Sequence, residues 1–174
     1  MEAGSPKKLE DVFLPENPLI VVLESVEKPG NLGAVLRTAD ASGVDLVIIC
    51  DPLTDIYNPN LIRASIGSVF TKNVVACTSH EAIKWLKDKG IRIFTAQLQD
   101  SVDYYDSDMV QGTALVFGTE SECLSNIWRE ASDCKIRIPM LGKMDSLNVS
   151  VSVAVLCYEA RRQRHIAEQV QCED

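Results

Sequence analysis

Lys135 to Arg164 read KIRIPMLGKMDSLNVSVSVAVLCYEARRQR, a stretch that passes from strand to loop to helix. Ile136 and Ile138 give it an apolar start, and Pro139 has no N–H for a ladder, so a strand read as Lys135–Ile138 ends there or lies at an edge. Leu141 to Asp145 form a short loop around Gly142 and deliver the chain to Ser146-Leu147-Asn148, after which no Gly or Pro occurs. Two periods then compete. Leu147 to Val155 alternate like a half-buried strand, whereas Leu156 to Gln169 are rich in Ala, Glu, Arg and Gln, which favour helix. With no turn signal between the halves, we read one helix from about Ser146 into the C-terminal region, with Ser146 as its N-cap. Ser146 and Asn148 then stand at a helix N-terminus, where unpaired N–H groups and the positive dipole end favour polar or anionic ligands. A cap on a buried helix is the plainer reading of the same residues.

Working outward, Leu19–Leu23 (LIVVL) is a continuous β-branched and apolar run of the kind buried on both faces of a parallel sheet. Asp45–Cys50, Asn73–Cys77, Ile91–Ala96 and Thr113–Phe117 repeat it, with helices expected near 31–43, 59–70, 79–89 and 122–132. This alternation predicts an α/β fold, a mostly parallel sheet with helices on both faces. We expect a short polar arm over 1–16 and a single domain over 17–174, with ligands beyond the carboxyl ends of the strands.

Composition narrows the function. A net charge of −8 has the wrong sign for holding nucleic acid by bulk electrostatics, so any RNA contact must be local. The candidates are Lys7-Lys8, Arg63, Lys72 and the Arg161-Arg162-Arg164 cluster. The six cysteines form no C-x-x-C pair, so neither a metal site nor a disulfide framework is expected. No apolar run is long enough to span a membrane and the N-terminus lacks a signal-peptide core, so a cytoplasmic protein is expected. G-x-G-x-x-G and G-x-x-x-x-G-K-[ST] are absent, and neither His80 nor His165 lies near a loop that could complete a hydrolase triad.

Two loops stand out. After the first strand, Pro29-Gly30 signals a turn, and Leu32, Val35, Leu36 and Ala39 share one helix face. Arg37 projects to the other side, flanked by Gly30, Gly33, Ala34 and Ala41, where small neighbours admit a ligand or another backbone and the guanidinium fork suits a phosphate or carboxylate. An exposed arginine on an ordinary helix, and Asn31 as its N-cap, are the plainer readings. Thr113–Phe117 runs into Gly118-Thr119-Glu120, at the edge where an α/β sheet builds its site. If the strand ends lie side by side, the 118–122 and 138–148 loops form two walls of one pocket.

Three motifs together, Asn31-x-Gly33…Arg37-Thr38, Gly118-x-Glu120 and Ile138-Pro139-Met140 through Ser150, resemble the SpoU-type, or TrmH-like, RNA ribose 2′-O-methyltransferases of the SPOUT superfamily. The resemblance extends from Leu19 to Arg164 and departs at Cys123, often glycine in that family, and at Ser152, often alanine. It implies a Rossmann-like sheet with a C-terminal deep trefoil knot, a homodimer, and tRNA or rRNA as the substrate. It further implies S-adenosylmethionine bound by Thr95, Gly118, Ile138, Met140 and Leu147, and a reaction centre made by Arg37, Asn31, Glu120, Ser146 and Asn148. A family member that binds RNA or protein without catalysis is the alternative.

Overall fold

The computed structural model describes residues 7–26, 28–52, 56–65, 67, 73–119 and 123–173. In chain order the elements are β1 (Leu19–Glu24), α1 (Pro29–Ser42), β2 (Leu46–Cys50), α2 (Pro59–Ser65), β3 (Val74–Cys77), α3 (Ser79–Asp88), β4 (Arg92–Ala96), β5 (Val102–Asp103), β6 (Thr113–Phe117), α4 (Asn126–Ala131), β7 (Cys134–Arg137) and α5 (Val149–Cys172). The strands with the longest apolar runs occupy the middle of the sheet, where both faces are covered. β1, β2 and β6 are buried at every residue, and the sheet order is β3-β2-β1-β6-β4-β7-β5 with parallel pairing throughout.

Side-chain alternation along β1 divides the core in two. Leu19, Val21 and Leu23 pack with Leu32, Leu36 and Ala39 of α1, Leu61 of α2 and Val153, Leu156 and Ala160 of α5. Ile20 and Val22 pack on the other face with Ala82 and Leu86 of α3 and Trp128 of α4. Leu9, in the stretch read as a polar arm, is buried in this second cluster, so the arm is anchored by an apolar side chain that its charged neighbours hid.

Several expectations shift. α5 is a helix, as read, but it begins at Val149 and its N-cap is Asn148, whose Oδ1 accepts from the Ser150 N–H at 2.9 Å; Ser146 lies before the helix. The alternation that suggested a strand is explained by the helix surface: Val149 and Val153 are buried while Val151 is exposed and Val155 half-exposed. Asn31 is not an N-cap, because α1 starts at Pro29, with Lys28 as the cap and Pro29 in the first turn, where its missing N–H costs nothing. Gly33 does not belong to the open face around Arg37. A Cβ there would come 2.5 Å from the Ala64 Cβ, so this glycine lets α1 pack directly on α2. α4 starts at Asn126 rather than 122, and β5, too short to carry a pattern, is held by Arg137, whose Nε donates to Asp103 Oδ1 at 2.8 Å and Nη1 to the Ser101 carbonyl at 2.6 Å.

Candidate active site

Parallel pairing puts every strand's carboxyl end on one edge of the sheet. The ends of β6 and β7 are not neighbours, because β4 lies between them, and the Gln97 N–H donates to the Ile136 carbonyl at 2.9 Å to continue the β4–β7 ladder. The end of β4 is thus the floor between them. Over β4 and β7 lies a groove lined by Ala96, Leu98, Ile138, Met140, Leu147 and Leu156, with Gln97, Asp145, Ser146 and Ser152 as its polar members. Arg137 also borders it. Three residues expected to touch a cofactor, Ile138, Met140 and Leu147, therefore converge, and Ser146 joins them.

Thr95 stands apart. Phe94 belongs to the core on the α1 and α5 face and Ile93 to the opposite one, so Thr95 turns toward α3 and α4. Its hydroxyl is fully buried, 2.8 Å from Ser132 Oγ and 3.0 Å from Gln97 Oε1. Gly118 directly follows β6, and Glu120 lies outside the described residues. Sequence reading missed Gln97 and Leu98, which have no motif, and Leu156, one helical turn after Ser152. Ser152 was noticed as a departure from the family, and here it brings a hydroxyl to the groove.

Asn31 and Asn148, 117 positions apart in sequence, meet: Asn148 Nδ2 donates to Asn31 Oδ1 at 3.2 Å. The same Asn148 Oδ1 caps α5, so this side chain joins the start of α1 to the start of α5. Arg37 is exposed on α1 and borders a separate depression with Ala34, Thr38, Ala41 and Tyr158. That depression shares no lining residue with the groove.

The arginine cluster near the C-terminus is not a free basic patch. Arg161 caps the end of α1, with Nε donating to the Ser42 carbonyl at 2.6 Å and Nη2 to the Gly43 carbonyl. Arg162 pairs with Glu159, and that hydrogen bond holds the Glu159 carboxyl below the usual carboxylate range. Arg164 is 7% exposed and donates to the carbonyls of Asn17, Pro18, Met109 and Gln111, with burial pulling its guanidinium down. Lys7 is engaged by Asn73 Oδ1 at 2.6 Å and Arg63 by Asn60 Oδ1 at 2.6 Å, while Lys72 lies outside the described residues. Among the described residues no cluster of His, Cys, Asp or Glu could hold a metal ion, and no helix is long and apolar enough to cross a membrane.

A family model described as the SpoU rRNA Methylase family matches residues 18–158. The chain belongs to this family. A SpoU-type relative, the tRNA (guanosine(18)-2′-O)-methyltransferase of Thermus thermophilus, is 39% identical over 91% of this chain and 82% of its own length. The 23S rRNA (guanosine(2553)-2′-O)-methyltransferase RlmP of Bacillus subtilis is 31% identical over 92% of this chain and 67% of its own. Among solved structures, the AdoMet-bound rRNA methyltransferase from Sinorhizobium meliloti superimposes with a TM-score of 0.86 at 32% identity. That match covers 91% of this SpoU chain and 61% of the solved one. The chain likewise spans 61% of a TrmH-family relative from Staphylococcus epidermidis.

Proposed function

We propose that this SpoU-family chain transfers the methyl group of S-adenosylmethionine to a ribose 2′-hydroxyl of structured RNA, either tRNA or rRNA. The observation that carries the reading is the groove over β4 and β7, where Ile138, Met140, Leu147 and Ser146 converge. Its lining fits the cofactor: Leu98, Met140, Leu147 and Leu156 offer apolar surface to a purine and the methylenes of the methionyl chain, and Gln97, Asp145 and Ser152 offer polar groups at the rim. A groove of about 120 Å³ is smaller than the roughly 300–1,000 Å³ of a ligand pocket, so a bound nucleoside would extend beyond it. When bound, the cofactor's sulfonium supplies the electrophilic methyl group.

The chain's own residues bind and orient. Arg37 cannot serve as a base, since a guanidinium stays protonated, but its fork can hold the phosphate beside the reacting ribose and fix the hydroxyl's direction. Asn31 and Asn148, already bonded to each other, brace the starts of α1 and α5, and the family motif adds Glu120 to the proposed reacting set. The presence of Asn31, Arg37, Glu120 and Asn148 in the sequence favours catalysis over a silent binding role.

The separation of Arg37 from the groove within one chain supports a homodimer whose site is shared between copies. Val151 and Tyr158, 46% and 52% exposed on α5, offer apolar surface for it. Light scattering should give a dimer mass at micromolar protein, and a monomer mass there would contradict the shared site. We also read residues 17–174 as one methyltransferase domain whose C-terminal segment is threaded as a trefoil knot. The insertion of β4 between β6 and β7 supports this reading, and an experimental backbone trace that unties when its ends are pulled would contradict it.

The activity is tested by incubating the protein with methyl-labelled S-adenosylmethionine and bulk tRNA or rRNA. Label is expected in alkali-resistant dinucleotides, the mark of a blocked 2′-hydroxyl. Label in free methylated bases, or none at all, would overturn the reading.

A further inference from the structure

The segment between β4 and β5 forms an arch. These two strands lie on either side of β7 and meet it at the same residue, since Ala96 and Val102 each pair with Ile136. Residues 97–101 therefore carry the chain from one flank of β7 to the other, next to the end of that strand. Bonds within the arch fix its shape. Gln97 Nε2 donates to the Gln99 carbonyl at 2.8 Å and Ser101 Oγ to the Leu98 carbonyl at 2.8 Å. Asp100 turns the chain at φ 54°, a left-handed conformation for which Asp is among the tolerant residues.

The arch is tied to the strand it spans at both feet. At the first, the Gln97 N–H donates to the Ile136 carbonyl at 2.9 Å. At the second, Arg137, the last residue of β7, donates from Nη1 to the Ser101 carbonyl at 2.6 Å and from Nε to Asp103 Oδ1 at 2.8 Å. The groove takes its lining from both parts of this arrangement: Gln97 and Leu98 from the arch, and Ile138, Met140 and Leu147 from the chain that leaves β7. Leu98 is 54% exposed, so packing alone holds it weakly and its place depends on the bonds of the arch.

We propose that Arg137 is a positioning residue for the cofactor, a clamp that sets the arch, and with it Leu98, at a fixed place relative to Met140 and Leu147. This rests on the reading that S-adenosylmethionine occupies the groove over β4 and β7. The planar guanidinium fork suits the task, because its rigid donors hold two acceptors at a set spacing, whereas a lysine ammonium is a point charge on a flexible stem. With the side chains of Arg137 and Asp103 40% and 37% exposed, their ion pair adds little to global stability. Its effect falls on where the arch sits. Without the clamp, the ligand must order the arch as it binds, and that ordering weakens its affinity.

The test measures Kd by calorimetry, well below the melting temperature, for S-adenosylmethionine and for 5′-methylthioadenosine, which lacks the methionyl carboxylate. Arg137→Ala should raise both values by the same factor, about tenfold, the loss of one charge-assisted hydrogen bond, with little change in melting temperature. Arg137→Lys should recover little of that loss. Asp103→Ala leaves the arginine present but loosens its fork, and should raise the Kd about threefold; these two variants carry the test if Arg137→Ala does not fold. Leu86, fully buried on α3, is the control: Leu86→Ala should lower the melting temperature and leave the Kd unchanged. A loss confined to S-adenosylmethionine would mean that Arg137 grips the cofactor's carboxylate directly, and would overturn the positioning role. Wild-type affinity in Arg137→Lys or in Asp103→Ala, or an equal loss in Leu86→Ala, would overturn it too. Wild type failing to bind S-adenosylmethionine would overturn the cofactor reading itself and the proposal with it.

Discussion

The first turns of α5 and its later turns belong to one helix but are held in different ways. At its start, the capping residue Asn148 is exposed and reaches Asn31 through one 3.2 Å bond, and the preceding loop leaves Leu141 at 97% and Met144 at 72% exposure. About four turns further on, Gln163 bridges the Met109 N–H and the Ser107 carbonyl, and Arg164 closes on the carbonyls around β1 and β6. The difference teaches how this fold divides labour. The side-chain bonds of the later turns lie away from the groove, whereas the loop that leads into the helix start is exposed, as expected for segments of low local stability.

The contrast can be broken or sharpened by substitution. Arg164→Ala leaves several buried carbonyls without a donor and should cost about 3 kcal/mol, a fall of roughly 6–12 °C in melting temperature for a chain of this size. Calorimetric scanning measures it, and cofactor affinity of the folded protein should stay near wild type; a loss of affinity with unchanged stability would erase the distinction. Leu147→Asp should do the reverse, weakening S-adenosylmethionine binding by about tenfold or more through a charge placed on an apolar wall, with little change in melting temperature. Titration calorimetry checks it, and unchanged affinity would put the ligand elsewhere. Asn148→Ala removes a helix cap and should cost about 1 kcal/mol, read as a shift in denaturant midpoint with unchanged slope.

The sheet and its layers were legible because LIVVL, LVIIC and TALVF each carry the continuous apolar run of a strand buried on both faces. The convergence of Ile138, Met140 and Leu147 was legible too, being local to one loop. What escaped depends on chain order in space. Nothing in Arg92–Ala96 says that this strand lies between β6 and β7, so Gln97 and Leu98 could not be placed in the groove. Arg137 lies 34 and 36 positions from Asp103 and Ser101, so no spacing pattern joins them. Arg161 and Arg164 looked like candidate RNA contacts because their partners are backbone carbonyls, which no side-chain motif reveals. Gly33 was misread for a related reason, since its partner Ala64 belongs to the next helix.

Arg37 decides whether the exposed face of α1 is part of the reaction centre. Single-turnover methylation of RNA by Arg37→Ala, at saturating cofactor, measures this directly. The rate should fall about 10²–10³-fold, as when a preorganised charged donor is lost, with cofactor affinity nearly unchanged and Arg37→Lys recovering little of it. A rate within about twofold of wild type, the behaviour of an ordinary surface arginine, would contradict its role at the ribose and its phosphate.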